Sequence, residues 1–158
     1  MRRTAGLAIG LLALAGCGSE PSGPEEVGVV AGAQEVSISP TQACVDGEGR
    51  RYSTTPPILE VSPDTTIRLT VPESVAENGW SVQVFDEQLE EQLGAVDVER
   101  GQTVFDEINS SDVVPPAFYL VVVEAAGVQC DGFSGAWPVG FIRAGGAGGG
   151  TASPDPAG

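Results

Sequence analysis

The sequence predicts an all-β fold, an antiparallel, immunoglobulin-like β-sandwich. Short segments in which apolar and polar residues alternate follow one another along the chain, and proline, glycine or aspartate separates them. Helical periodicity is weak by comparison. About seven strands of four to eight residues with turns between them are typical of such a sandwich. A closed barrel ranks well below it.

The alternation is clearest in residues 66–71, where every second residue from Ile67 is apolar and Pro72 ends the strand. The acidic segment 86–93 fits either two helical turns, with Leu89 and Leu93 four residues apart, or a hairpin loop. Similar short segments between turn residues predict further strands at residues 35–39, 58–61, 80–85, 95–98 and 103–108.

Two C-terminal segments differ from these strands. Residues 117–124 are apolar on both faces, which predicts a central strand covered on both sides. Residues 137–142 contain Pro138, whose nitrogen cannot donate to a ladder. This last strand is therefore predicted to lie at a sheet edge or near a bulge.

Residues 1–16 have the pattern of a bacterial lipoprotein signal peptide. Arg2 and Arg3 precede an apolar run that ends in Leu-Ala-Gly-Cys, with the cysteine at Cys17. The run is shorter than the about 20 residues that a transmembrane helix needs. The sequence therefore predicts a protein that is extracytoplasmic and lipid-anchored through Cys17 to the outer face of the cell membrane.

Composition divides the rest of the chain into three segments. Residues 17–34 are predicted to be the lipidated cysteine and a flexible linker rich in glycine, serine, proline and acid. Residues 35–143 form the predicted β-sandwich domain. Residues 144–158, rich in glycine, alanine and proline, are predicted to be a disordered tail.

The chain is strongly acidic, with a formal net charge of −15 and neither lysine nor histidine. Nucleic acid requires a basic surface, so we expect no nucleic-acid partner. Attraction to anionic lipid is excluded for the same reason, which leaves the acyl group to hold the protein at the membrane. The acidity otherwise indicates solubility at a cell surface.

Lipidation of Cys17 leaves Cys44 and Cys130, and outside the cytoplasm a remaining pair is most simply a disulfide. On the chain-entropy model, a loop of this length adds about 4–5 kcal/mol of stability. Two thiols without histidine make only half a zinc site, so no metal is predicted. Asp46 and Glu48 offer oxygen ligands for calcium, but their segment is too short for an EF-hand and is predicted to be a solvated loop.

The residues supply little catalytic chemistry. The absence of histidine and lysine removes the usual bases for serine or cysteine nucleophiles, and Ser134 has no base to activate it. Pairs of carboxylates remain, but in polar surroundings, whereas a general acid needs burial or a charged neighbour. We therefore expect no enzyme activity, no catalytic residues and no cofactor.

One stretch of sequence resembles a known family. A Pro-Thr-Gln-Ala-Cys segment at residues 40–44 follows a strand, residues 62–64 read Ser-Pro-Asp, and the strand and acidic turn at residues 67–75 lead to Trp80. This order resembles a domain-of-unknown-function family of small actinobacterial cell-envelope lipoproteins. The resemblance covers residues 35–85 and implies an actinobacterial cell envelope and no characterised activity.

The anchor, the linker and the missing catalytic groups predict a non-catalytic binding or interaction module, with an envelope protein or a cell-wall glycan as partner. Trp137 and Tyr52 are candidate binding residues, because amphipathic aromatic side chains serve protein interfaces and sugar stacking. Trp80 and Tyr119 are predicted to lie in the core. The alternative is an accessory subunit of an envelope transporter or wall-building complex, which would pair with its partner along the strand at residues 137–142.

Overall fold

The computed structural model describes residues 23–145, so the predicted signal peptide, Cys17 and the tail from residue 146 lie outside it. The described residues form eleven strands, one short α-helix and one 3-10 turn. In chain order these are β1 (Val27–Ala31), β2 (Gln34–Ile38), β3 (Gln42–Val45), β4 (Glu48–Arg51), β5 (Ile58–Val61), β6 (Thr66–Thr70), α1 (Glu73–Asn78), β7 (Trp80–Asp86), β8 (Gln92–Val98), β9 (Val104–Asn109), β10 (Ala117–Glu124), the 3-10 turn (Val128–Cys130) and β11 (Ala136–Arg143).

The strands form two sheets around one core, which confirms the predicted all-β sandwich. The narrow sheet has the order β2-β1-β6-β9. The wide, seven-stranded sheet has the order β4-β3-β11-β10-β7-β8, and β5 also pairs with β11. Pairing is antiparallel apart from the β5–β11 pair. Trp80 of the wide sheet packs edge-on against Phe105 of the narrow sheet, with ring centroids 6.3 Å apart.

The first strand lies inside the segment predicted to be a linker. In β1, Val27, Val29 and Ala31 are buried, and the strand pairs with β2 on one side and β6 on the other. The predicted linker of residues 17–34 is therefore wrong from residue 27 onward. The sequence of β1, Val-Gly-Val-Val-Ala, contains no polar side chain to give an alternating pattern, and it follows a segment rich in glycine, proline and acid.

The last strand was predicted to lie at a sheet edge or near a bulge; the edge is wrong, and the β10–β11 register is regular. β10 pairs with one side of β11, while β3 and β5 cover the two halves of its other side. Ala136 accepts a hydrogen bond from Thr41 N (2.9 Å), and Gly140 N donates to Pro57 O (2.8 Å). Every second residue directs its backbone groups to the same side. The backbone nitrogen of Pro138 therefore points to the junction between β3 and β5. Neither strand pairs with Pro138 there.

β10 is central in the wide sheet, as predicted, but only one of its faces is fully buried. Phe118, Leu120 and Val122 are in the core, while the alternate residues are half-buried on the outer face. Tyr119 belongs to this outer face, so its predicted core position is wrong. Trp80 is buried, as predicted.

Two local features complete the fold. The segment predicted as either helix or hairpin loop is a loop, and Asp86 Oδ1 accepts hydrogen bonds from the backbone of Glu90 (2.8 Å) and Glu91 (3.1 Å). Helix α1 was not predicted; Pro72 precedes it and Gly79 ends it with a φ of 91°. No helix within residues 23–145 is long and apolar enough to cross a bilayer.

Candidate functional site

Strand registers define two opposite ends of the sandwich. At the N-terminal end, residues 23–26 and α1 lie near Glu124, the last residue of β10. At the distal end lie the β7–β8 hairpin and residues 110–116, which connect β9 to β10. Each end contains a concave region.

A polar cavity of about 620 Å³, here the Trp137 cavity, lies at the N-terminal end. Gly23, Pro24 and Glu25 line one part of it. The indole Nε1 of Trp137 donates to Glu25 O (2.8 Å), and the Ser74 hydroxyl bonds the Glu25 carboxylate. These bonds fix the chain just before it enters β1.

The carboxyl group of Glu124 reaches the same cavity. Burial raises its pKa above the ordinary value of 4.5; a hydrogen bond from Asn78 Nδ2 (2.7 Å) lowers it, and the negative charge of Glu25 raises it. Gly135 makes room for this arrangement. A Cβ at Gly135 would lie 2.5 Å from the Trp137 ring and 2.8 Å from Glu124 Oε2.

The two predicted binding residues have different environments. Trp137 is only 2% exposed, because it shares the inward face of β11 with Val139 and Phe141. It is therefore part of the core and offers no surface for stacking on a glycan. Tyr52 is half-buried after β4, its backbone N donates to Thr41 O (2.8 Å), and it does not line the Trp137 cavity.

The predicted pairing of Cys44 with Cys130 is present in the structure. Their Cα atoms are 6.0 Å apart, and the two cysteines are 86 positions apart along the chain. The disulfide joins the β3–β4 hairpin to the 3-10 turn that follows β10. Asp46 and Gly47 form the two-residue turn of that hairpin, with positive φ angles of 53° and 78°, as a type I′ turn requires. Within residues 23–145, no group of three or more His, Cys, Asp or Glu side chains is arranged to hold a metal ion.

An apolar groove of about 520 Å³, here the β8–β9 groove, opens toward the distal end. In the described sheets β8 pairs only with β7, and β9 only with β6, so the groove lies on the open side of the sandwich. Leu93 and Val96 are each 41% exposed there, and Val114 is 88% exposed. The groove is lined by Val84, Leu93, Gly94, Val96, Phe105, Glu107, Ile108, Asp112, Val113, Val114 and Pro115.

One lip of this groove, residues 110–114, is held by Arg143 at the end of β11. The guanidinium Nη1 donates to the carbonyl oxygens of Ser110 (2.6 Å) and Val113 (2.8 Å), and Nη2 donates to that of Val114 (3.2 Å). The Ser110 hydroxyl is itself buried and hydrogen-bonded. These hydrogen bonds restrain the lip, which lowers the entropy cost of binding.

Acidic side chains surround the apolar lining. Glu107 and Asp112 lie in the groove, and Asp97 is exposed on β8. The nearby Arg68 is paired with Asp106 (3.2 Å). A neutral or cationic apolar ligand is therefore favoured over an anionic one. The β7–β8 loop beside Leu93 adds Glu87, Glu90 and Glu91.

The fold and the groove define an all-β sandwich with an apolar opening in an acidic surface. The family model described as "Protein of unknown function (DUF2771)" matches residues 20–131, about seven-tenths of the chain. The protein belongs to this family. The match includes both cysteines of the disulfide and ends before β11. No curated protein and no solved structure matches the chain.

Proposed function

We propose that the protein is a lipid-anchored, non-catalytic binding module on the outer face of an actinobacterial cell membrane, and that the β8–β9 groove receives its partner. The groove carries this proposal. A chain with a net charge of −15 exposes aliphatic side chains together in one preformed concavity. Concave apolar sites of about 300–1,000 Å³ are typical of ligand pockets, and exposed apolar patches mark interaction surfaces.

The leader pattern at residues 1–16 and Cys17 supports the anchor, and a disulfide suits an oxidising compartment outside the cytoplasm. Gly23 is the first described residue and follows Cys17 closely. Even a fully extended chain between the two spans only about 20 Å. Lipidation at Cys17 would therefore hold the N-terminal end near the bilayer, with the distal end and its groove farther out.

An envelope protein is favoured over a wall glycan as the partner. Glycans stack on exposed aromatic faces, whereas the groove exposes aliphatic side chains and its aromatic residue, Phe105, is buried. Glu107 and Asp112 are the charged groups in the lining, without histidine or lysine beside them. An accessory subunit of a larger envelope complex would use the same groove, since β11 is paired on both sides within the described sheets.

The anchor is tested by growing an actinobacterial host on an alkyne-bearing palmitate analogue and tagging the purified protein through the alkyne. We expect label on the wild type and none on Cys17→Ala. The matched control is the double variant Cys44→Ala with Cys130→Ala, which keeps its label because only the disulfide is lost. Unlabelled wild type, or label that persists on Cys17→Ala, would contradict the proposal.

A further inference from the structure

We propose that the occupant of the β8–β9 groove is an extended peptide segment of a partner protein, which alternates apolar and basic residues and adds to the wide sheet beside β8. This inference rests on the proposed function and deepens it by naming the chemistry of the partner. Three observations carry it: an unpaired strand edge, an apolar pleat beside that edge, and the charge around both.

The edge of the wide sheet supplies backbone hydrogen-bonding groups. β8 is seven residues long and pairs with β7 alone among the described strands. Its register is regular from Gly94 to Val98, and the irregularity lies before Gly94. One side of this regular stretch therefore has no ladder partner within residues 23–145. A strand edge of this kind binds extended peptides through main-chain hydrogen bonds.

The pleat of the sheet sets the side-chain pattern of such a peptide. Val96 of β8 lines the groove, whereas the adjacent Asp97 does not. Side chains of neighbouring strands stand opposite one another and alternate between faces. A strand beside β8 would therefore place every second side chain over Val96, Leu93 and Phe105, and the others beside Asp97. Apolar residues fit the first set, and basic residues fit the second.

Charge and position distinguish this peptide from two other occupants. A second copy of the chain would bring another net charge of −15 to a groove that contains Glu107 and Asp112, so like charges disfavour it. A membrane lipid would enter most easily at the N-terminal end, where Gly23 emerges, but the groove opens toward the distal end. A segment that alternates apolar and basic residues places its basic side chains beside Asp97 and its apolar side chains over the groove lining, and its net positive charge complements the acidic groove.

The test uses the lipidated full-length protein in vesicles of neutral phosphatidylcholine, with co-sedimentation of labelled peptides as the readout. The probe is a peptide of about nine residues that alternates valine and lysine. The first control has the same composition arranged as a valine block and a lysine block. The second control alternates valine and glutamate, and protein-free vesicles give the background.

We expect saturable retention of the alternating valine–lysine peptide and background retention of both controls. Val96→Asp should abolish retention, because it places a charge in the apolar lining. Asp97→Lys should weaken binding of the lysine peptide about tenfold and allow binding of the glutamate peptide. The control is Val128→Asp, which introduces the same charge at an exposed apolar residue of the N-terminal end, away from the groove, and it should bind like the wild type.

Equal retention of the alternating and block peptides, or retention unaffected by Val96→Asp, would overturn the inference. So would Val96-dependent dimerisation, or Val96-dependent retention of a labelled fatty alcohol in place of the peptide, because each identifies another occupant. Protein that fails to sediment contradicts the anchor instead. In that case, binding of the same peptides is measured by fluorescence anisotropy in solution. Failure of the anchor is thereby distinguished from failure of peptide binding.

Discussion

At the scale of single residues, the fold leaves the carboxyl group of Glu124 half-buried. Because burial raises its pKa, the folded state binds the proton more tightly than the unfolded state does. The stabilising contribution of this group is therefore complete below the ordinary pKa and is lost as pH rises through the folded-state pKa. At neutral pH the ionised carboxylate therefore favours the folded state less than the protonated form does.

Glu124→Gln should therefore raise the free energy of unfolding at neutral pH and change it little in acid. Glutamine keeps the shape and can still bond Asn78, but it carries no charge to desolvate. Urea denaturation of the variant and the wild type at about pH 4 and about pH 7 measures the difference. A difference of the same size at both pH values would indicate a steric effect and contradict this account.

A variant of Arg143 tests whether this side chain holds the groove lip, residues 110–114, in place. Arg143→Lys keeps the positive charge but cannot donate in a planar fork to three carbonyl oxygens. We expect the free energy of unfolding to fall by about 1–3 kcal/mol and amide exchange in residues 110–114 to speed up. The control is Arg68→Lys, an exposed ion pair that should cost less than about 1 kcal/mol. Unchanged exchange in the lip of Arg143→Lys would contradict the role assigned to this arginine.

The aromatic residues show where alternation of apolar and polar residues predicts burial and where it does not. In β11, Trp137, Val139 and Phe141 share one face, so the sequence contained the signal that places Trp137 in the core. In β10 both faces are apolar, and periodicity cannot tell which of them is inside. Packing against the narrow sheet decides that question, which is why Tyr119 was misplaced.

At the scale of elements, the disulfide between Cys44 and Cys130 is the strongest local constraint that sequence reasoning identified. The double variant Cys44→Ala with Cys130→Ala should lower the free energy of unfolding by about 4 kcal/mol, because an 86-residue separation leaves a large loop unrestrained in the unfolded chain. Urea denaturation of the variant, with the reduced wild type as the matched comparison, measures the loss. A change below about 1 kcal/mol in both would contradict it.

Short strands and pairing partners are where sequence reasoning failed. β1 (Val-Gly-Val-Val-Ala) contains no polar side chain and β4 (Glu-Gly-Arg-Arg) no apolar one, so neither shows the alternation that predicts a strand. Pro138 was correctly identified as unable to donate, but this constraint applies only to the side of the strand that its nitrogen faces. On that side, the strand that pairs with β11 changes from β3 to β5, and this arrangement depends on contacts between residues far apart in sequence. The groove was missed because alternation does not predict that β8 and β9, which are consecutive along the chain, belong to different sheets with an open side between them.

At the scale of the whole molecule, the proposed lipidation of Cys17 would orient the sandwich, because only a short connection separates Cys17 from Gly23. The N-terminal end should lie within about 20 Å of the bilayer surface and the distal end farther away. Fluorescent amino acids at Val128 and at Val114 report on the two ends, and both positions are almost fully exposed, at 96% and 88%. In vesicles that contain a headgroup quencher, we expect stronger quenching at position 128. Equal or reversed quenching would contradict this orientation.

The central claim is that the β8–β9 groove is where this protein meets its partner, and photo-crosslinking in the host tests it most directly. A photoreactive amino acid replaces either Val114 at the groove or Val128 at the N-terminal end. The account predicts a discrete adduct from position 114 that disappears when Val96→Asp is added, and no such adduct from position 128. An absent adduct at 114, or one that Val96→Asp leaves intact, would contradict the account.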